Sequence, residues 1–141
     1  MSGYLLDTNF IAELVRPKPE PRVIRWMEAA DEAMLHLSVL TLGEVRKGVA
    51  ALPQGKRRTG LEAWLEVDLR VRFQGRILPI DAATADRWGF IAIQAKRHGK
   101  ALAVIDGLLA ATALYHDLTI VSRNSSDFQF TQVRIVNPWK P

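Results

Sequence analysis

YLLDTNF (residues 4–10) runs from three strand-forming residues straight into Asp7, Thr8 and Asn9, and a helix-like pattern follows. A carboxylate at such a junction can cap the helix it precedes. It can also be one ligand of a metal site whose other members lie far along the chain. The choice turns on how many other strands deliver oxygen-bearing side chains to the same edge.

Working outward, short apolar strands are expected at 3–6, 34–38, 76–80, 118–122 and 133–136. Helices are expected between them. One spans 8–15 and stops before Pro17, and a second spans 22–30 after the proline-rich loop RPKPEP. A third spans 39–52, where Leu42, Val45, Val49 and Leu52 recur at helical spacing. LEAWLEVDLRVRF (61–73) puts Leu61, Trp64, Leu65, Leu69 and Phe73 on one face, and the GKRR run (55–58) before it reads as a loop. Asp81 is a natural cap for a helix over 82–98, which Gly99 ends. A helix over about 106–116 is apolar on nearly all faces and should be central and buried. Strands alternating with helices predict an α/β fold, a parallel sheet with helices on both faces. Ligands of such sheets bind beyond the carboxyl ends of the strands.

The chain has 141 residues, enough for one domain with a real core, and its 48% hydrophobic and 24% charged residues are ordinary for a globular protein. Absence of cysteine excludes disulfides and thiolate metal sites and fits a reducing, cytoplasmic setting. The start MSGYLLDTNF lacks a signal-peptide pattern, and no apolar run approaches the roughly 18 residues of a membrane span. A formal net charge of +4 suits an anionic partner such as RNA, DNA or an acidic protein.

Each candidate acid also has an ordinary explanation. Asp7 is a good N-cap. Glu44 completes a capping-box pattern with Thr41, but Ser38 is the better cap, which leaves Glu44 inside the helix at the edge of its apolar face. Asp106 opens the most apolar helix and suits its dipole. Asn124 and Asp127 follow the strand 118–122 and are good turn residues. Asp81, Asp86, Glu62, Glu66, Asp68 and Asp117 read as caps, turns or solvated faces, and Glu13 as a surface residue of the first helix. His36, His98 and His116 show no ligand spacing. The joint placement says more than any single acid. Asp7, Asp106 and Asn124/Asp127 each stand where one parallel sheet could bring them to a common edge. Ionised carboxylates so gathered repel and raise one another's pKa. A hard divalent cation, Mg²⁺ or Mn²⁺ with oxygen ligands, resolves that repulsion and is the metal this composition can hold.

With these residues in place, the chain resembles the PIN-domain ribonucleases, in particular the toxins of bacterial toxin–antitoxin pairs of the VapC/FitB type. The matching pieces are YLLDTN, LSVLTLGEVRKGV (37–49) and AVIDGLLAATALYHDLTIVSRNSSDF (103–128), with VNPW (136–139) similar to the FitB branch. The resemblance spans almost the whole chain, in order. It implies a single PIN-like domain over 1–141, a three-layer α/β/α fold, and a roughly five-stranded parallel sheet in the order 3-2-1-4-5. It also implies an acidic pocket in which Asp7, Glu44 and Asp106 match the family's three main acids. Many relatives carry an aspartate where this chain has Asn124, so Asp127 is the expected fourth acid. Ser122 stands where relatives often have threonine. Thr8 and Asn9 match a polar pair that orients Asp7 or a bound water.

The implied reaction is metal-assisted hydrolysis of an RNA phosphodiester by one or two Mg²⁺ ions held by Asp7, Asp106 and Glu44. Arg123, directly after a strand end, is the first candidate for the flanking phosphates, with Arg46 and Lys47 behind it and GKRR as a further RNA contact. The resemblance further implies a homodimer and an antitoxin that binds operator DNA and lays a segment across the toxin. Trp26, Met27 and Trp64 either line that groove or belong to the core. Two rivals come from other classes. A haloacid dehalogenase-type phosphatase needs a second aspartate at position 9, where this chain has Asn9. A degenerate PIN domain that only binds RNA or a partner is kept in view by Asn124.

Overall fold

The computed structural model describes residues 3–141; Met1 and Ser2, which the expected domain includes, lie outside them. All five expected strands form: β1 (Tyr4–Leu6), β2 (Leu35–Ser38), β3 (Ile77–Leu78), β4 (Thr119–Val121) and β5 (Ile135–Val136). Neighbours pair in parallel in the order β3-β2-β1-β4-β5. Tyr4 stands opposite Leu35 on one side and Thr119 on the other. The helices are α1 (Thr8–Leu14), α2 (Pro21–Ala29), α3 (Val39–Ala50), α4 (Lys56–Ala63), α5 (Arg70–Arg72), α6 (Ala82–Arg97) and α7 (Val104–Tyr115). A π-helical stretch, Trp64–Leu69, joins α4 to α5.

Successive strand side chains point to opposite faces, and that alternation builds two cores. Leu6 and Val121 join Phe10, Val23, Met27, Val45, Leu65 and Phe73 on one face. Leu5 and Ile120 join Ile91, Leu109, Ala110 and Phe128 on the other. The result is the expected three-layer α/β/α arrangement. Phe10, Phe73 and Phe128 are fully buried, and each contributes roughly 1.5–3 kcal/mol of apolar transfer. Met27 belongs to the first core, and Trp26 and Trp64 pack against it while remaining partly exposed. Helix α7 is buried through most of its length, as its composition predicts.

Several element boundaries differ from expectation. The strands expected over 76–80 and 133–136 shrink to two residues each. Pro79 has no N–H to continue a ladder. The short β3 is held by Arg76, whose guanidinium donates to the Leu35 carbonyl at 2.7 Å and to the Glu32 carboxylate at 3.0 Å. The run GKRR is not a loop. Helix α4 begins at Lys56, with Gly55 as its cap, and the helix passes through Gly60 because no proline interrupts it before Phe73. Ser38 caps α3 by accepting from Leu40 N–H at 3.0 Å, which leaves Glu44 within the helix. Asp81 caps α6 through Thr84 N–H at 2.9 Å. Asp117 makes the tight turn into β4 with a φ of 53°.

The expectation for Glu13 also fails. This glutamate is 3% exposed. Its carboxylate accepts from Arg16 at 3.0 and 3.1 Å, from Glu20 N–H at 2.9 Å and from the Trp139 indole N–H at 3.4 Å. Burial pushes its pKa upward, but those hydrogen bonds and the Arg16 charge outweigh it and hold the carboxyl below its ordinary value. A helical pattern could not signal this, because all three partners, Arg16, Glu20 and Trp139, lie outside α1.

Gly3 precedes β1 at a close backbone approach: a Cβ there would lie 2.6 Å from the Met34 carbonyl oxygen. A carbonyl fixed beside the sheet cannot retreat as a side chain can. Gly3→Ala is therefore expected to destabilise the fold by about 1–3 kcal/mol, the usual cost of overpacking. A lower urea midpoint with an unchanged slope checks this.

Candidate metal centre at the carboxyl edge of the sheet

The strand order places β1 between β2 and β4, where the chain reverses its direction of travel across the sheet. Such a switch point opens a crevice at the carboxyl ends of the strands. Asp7 follows β1 and Ser122 follows β4, so these two residues flank it. Asp7 N–H donates to the Val121 carbonyl at 3.0 Å, which ties the junction to the neighbouring strand.

Asp7 is buried, and both of its carboxylate oxygens accept hydrogen bonds, with Oδ1 keeping a lone pair to spare. Oδ1 accepts from Thr8 N–H at 2.8 Å, the helix-capping bond. Oδ2 accepts from the Ser122 hydroxyl at 2.7 Å and from the Asn9 amide at 3.4 Å. Capping and site-building are therefore both served by one carboxylate. The Ser122 hydroxyl is saturated: it donates to Asp7 and accepts from the Asn9 amide at 3.2 Å and from Asn124 N–H at 3.1 Å. One donor and two lone pairs are all a hydroxyl has. Asn9 completes the brace, its Oδ1 accepting from Arg123 N–H at 3.2 Å. Position 9 therefore supports Asp7 as an amide and supplies no second carboxylate of the phosphatase kind.

Glu44 comes from α3, and the Thr8 hydroxyl donates to its Oε1 at 2.5 Å. Asp106 sits in the first turn of α7, not at its cap, which is Ala103. Asp127 lies exposed in the 3₁₀ turn Ser125–Phe128, which Asn124 precedes. Asn124 contributes backbone, its carbonyl accepting from Asp127 N–H at 3.0 Å. Four acids from four segments thus act on one another. Burial, opposed by the Ser122 and Thr8 hydrogen bonds, raises the Asp7 carboxyl, and the charges of Glu44 and Asp127 add to the rise. Burial also pushes Asp106 up to about 6, helped by Asp7, Asp127 and Glu44 in that order.

Among the described residues, none of these four acids has a lysine or arginine within ion-pair distance. The histidines stand elsewhere: His36 bonds the Tyr4 and Met34 carbonyls, and His98 the Gln94 carbonyl. Nor do any three acid or imidazole side chains among the described residues form a ready-made metal cage. An uncompensated, oxygen-only cluster without a closed cage fits a hard cation that takes one or two carboxylates and keeps several waters, the habit of Mg²⁺. Of the basic candidates, Arg46 pairs with Glu66 at 2.8 Å. Lys47 is exposed on α3, and the Arg123 guanidinium lies 5.7 Å from the centre of the Trp139 ring. Trp139, whose place in VNPW gives no local sign of this role, contacts Phe10, Glu13 and Arg123 and supports the site's rim.

A carboxyl with a raised folded-state pKa favours folding most when protonated. Its contribution is complete below the ordinary value of 3.8 and is lost as pH rises through about 6. The metal-free protein should therefore lose stability across that window. Asp106→Asn should flatten the loss, as read from urea midpoints measured over a pH series. Asp7→Asn should lower the Asp106 pKa by removing a neighbouring charge, an effect visible in a carboxyl NMR titration.

Comparison with known proteins agrees with this geometry. Residues 4–134 match the model of the PIN domain. The chain is 42% identical over 135 residues to Toxin FitB of Neisseria gonorrhoeae, covering 96% of this chain and 97% of that one. It is 39% identical over 137 residues to VapC ribonuclease Y4jK of Sinorhizobium fredii, covering 97% and 98%. A solved structure of FitAB bound to an IR36 DNA fragment superposes with a TM-score of 0.93 at 40% identity, covering 98% of this chain and 96% of that one. The chain belongs to the PIN-domain family and is closely related to its VapC- and FitB-type toxins.

Proposed function

We propose that this protein is the toxin of a type II toxin–antitoxin pair and a Mg²⁺-dependent endoribonuclease that hydrolyses RNA phosphodiester bonds. The observation that carries the reading is the cluster of four carboxylates at the switch point, drawn from the end of β1, α3, α7 and the turn after β4, with no lysine or arginine among the described residues within ion-pair distance of them. Asp7, Asp106 and Glu44 are the residues that would hold the metal, with Mn²⁺ as a substitute. When bound, such an ion supplies an activated water and charge neutralisation at the phosphate.

The protein's own groups set the geometry. Ser122 and Asn9 hold Asp7 Oδ2, and Thr8 holds Glu44 Oε1, so both acids are oriented before substrate arrives. Hydrolysis forms a bond from the water oxygen to phosphorus and breaks a phosphorus–oxygen ester bond. The water's proton passes to a carboxylate of the cluster, and the leaving oxygen gains one. Asp127, exposed at the rim, is the fourth acid in place of the aspartate that relatives carry at Asn124. Arg123, beside the pocket, meets a flanking phosphate. A partner antitoxin, bound to operator DNA, restrains the activity, and the working form is a homodimer. Among the described residues no helix is long and apolar enough to cross a membrane.

A binding-only PIN domain is the second reading, favoured by the uncharged Asn124. The two part on activity with Mg²⁺. Sequencing the 5′ ends of RNA fragments made by the purified protein should reveal discrete cleavage sites that vanish in Asp7→Asn, whose circular dichroism stays native. Cleavage retained by that variant removes Asp7 from the mechanism. Asp106→Ala should reduce the rate more than Asp127→Ala; equal losses would make Asp127 a metal ligand.

A further inference from the structure

The four-carboxylate pocket is strongly negative, yet its substrate is a polyanion. A strand that enters it needs positive surface nearby, and one such surface adjoins Arg123 at the crevice's rim. Beyond Arg123 the chain returns as β5 and then as the segment Asn137–Lys140, which lies against α1 and α2. Asn137 donates to the Arg123 carbonyl at 3.3 Å. Trp139 carries the Arg123 guanidinium over its ring and packs edge-on against Phe10. Its backbone carbonyl accepts from Arg22 of α2 at 3.2 Å. The buried Glu13 carboxylate, accepting from the Trp139 indole, fixes the ring in place.

Past Trp139, α2 and this segment enclose an open groove of about 480 Å³. Arg22, Arg25 and Lys140 line it, together with Trp26 and Asn137, and no aspartate or glutamate side chain among the described residues does. Among the described residues, Arg22, Arg25, Lys140 and Arg123 have no carboxylate within ion-pair distance, whereas Arg16, Arg46, Arg58, Arg72, Arg76 and Arg134 all do. Three of these cations therefore share one groove with Trp26, and the fourth, Arg123, is tied to the same segment through Asn137 and Trp139. Cations that track a backbone, with aromatic faces among them, are the recurring construction of single-strand nucleic-acid sites.

We propose that the groove between α2 and residues 137–140 is a single-stranded RNA track. It holds the phosphates on one side of the scissile bond through Arg123, Arg22, Arg25 and Lys140, with Trp139 as the residue that positions Arg123. The inference rests on the ribonuclease reading above. Trp26 packs against Tyr4 and Phe10 at 5.0 and 5.5 Å and still borders the groove, so the track wall is anchored in the core.

The test uses the full chain carrying Asp7→Asn and a fluorescent 12-nucleotide RNA, with anisotropy recorded over a salt series. Replacing both Arg25 and Lys140 with alanine on that background should weaken binding and make the slope of log K against log salt shallower by about 1.4, since each lost single-strand phosphate contact removes about 0.7. The paired control R70A/K96A removes the same charge from exposed positions on α5 and α6 and should leave the slope unchanged. Equal slopes for R25A/K140A and the starting protein would overturn the track. So would an equal loss in the control, which would reduce the effect to net charge. Loss of binding to an acidic peptide with the RNA slope intact would also overturn it, assigning the groove to a protein partner. In parallel, the protein with Asp7 intact is assayed on the same RNA with Mg²⁺. Cleavage there with no slope change sinks the track alone, whereas neither cleavage nor RNA binding sinks the ribonuclease reading and the track with it.

Discussion

The bond from the Ser122 hydroxyl to Asp7, 2.7 Å long and joining residues 115 apart in sequence, is the interaction on which the site depends. It crosses the switch point, closing the two halves of the sheet over one carboxylate. Everything around it is arranged so that a buried, charged group can persist. A backbone N–H, a hydroxyl and an amide replace the water that Asp7 gives up on burial. Hydrogen bonds to the charged form partly offset desolvation, though burial remains the larger effect and the carboxyl stays raised.

The acidic cluster opposes folding, because like charges are brought together where burial disfavours them. The two hydrophobic cores hold it in place. Leu6 and Val121 on one face, and Leu5 and Ile120 on the other, anchor β1 and β4 immediately before their functional residues. Asp7 and its brace Ser122 therefore each sit one peptide beyond a fully buried residue. Natural sites commonly hold such locally unfavourable charge where function requires it, at some cost in stability. Under the proposed ribonuclease function, a negative pocket acting on a negative polymer requires positive groups at its rim, and those groups need to be uncommitted to acids of the protein.

The elements legible in the sequence were those with local causes. The alternation in YLL and in TIV, the helical spacing of Leu42, Val45 and Val49, and the caps Ser38 and Asp81 all depend on near neighbours. Residues whose roles depend on distant partners were read less well. Glu13 has the spacing of a surface residue, but its partners Glu20 and Trp139 enclose it. The GKRR run has the composition of a loop, but the helix over 61–73 extends back through it. Asn124 has the composition of a turn residue, and its hydrogen bonds to Ser122 and Asp127 are made by backbone atoms.

The sequence by itself determined the class of fold, the order of its elements and the chemistry available at the strand ends: oxygen ligands, no thiols, and histidines placed elsewhere. Periodicity and composition act over a few residues, so a linear reading captures them. Only the tertiary structure decided which acids share a field, that Asp7 is braced by Ser122 and Asn9, and that Arg22, Arg25 and Lys140 share one groove. Those properties belong to distances between residues far apart in the chain, and such distances exist only once both cores have closed on the sheet.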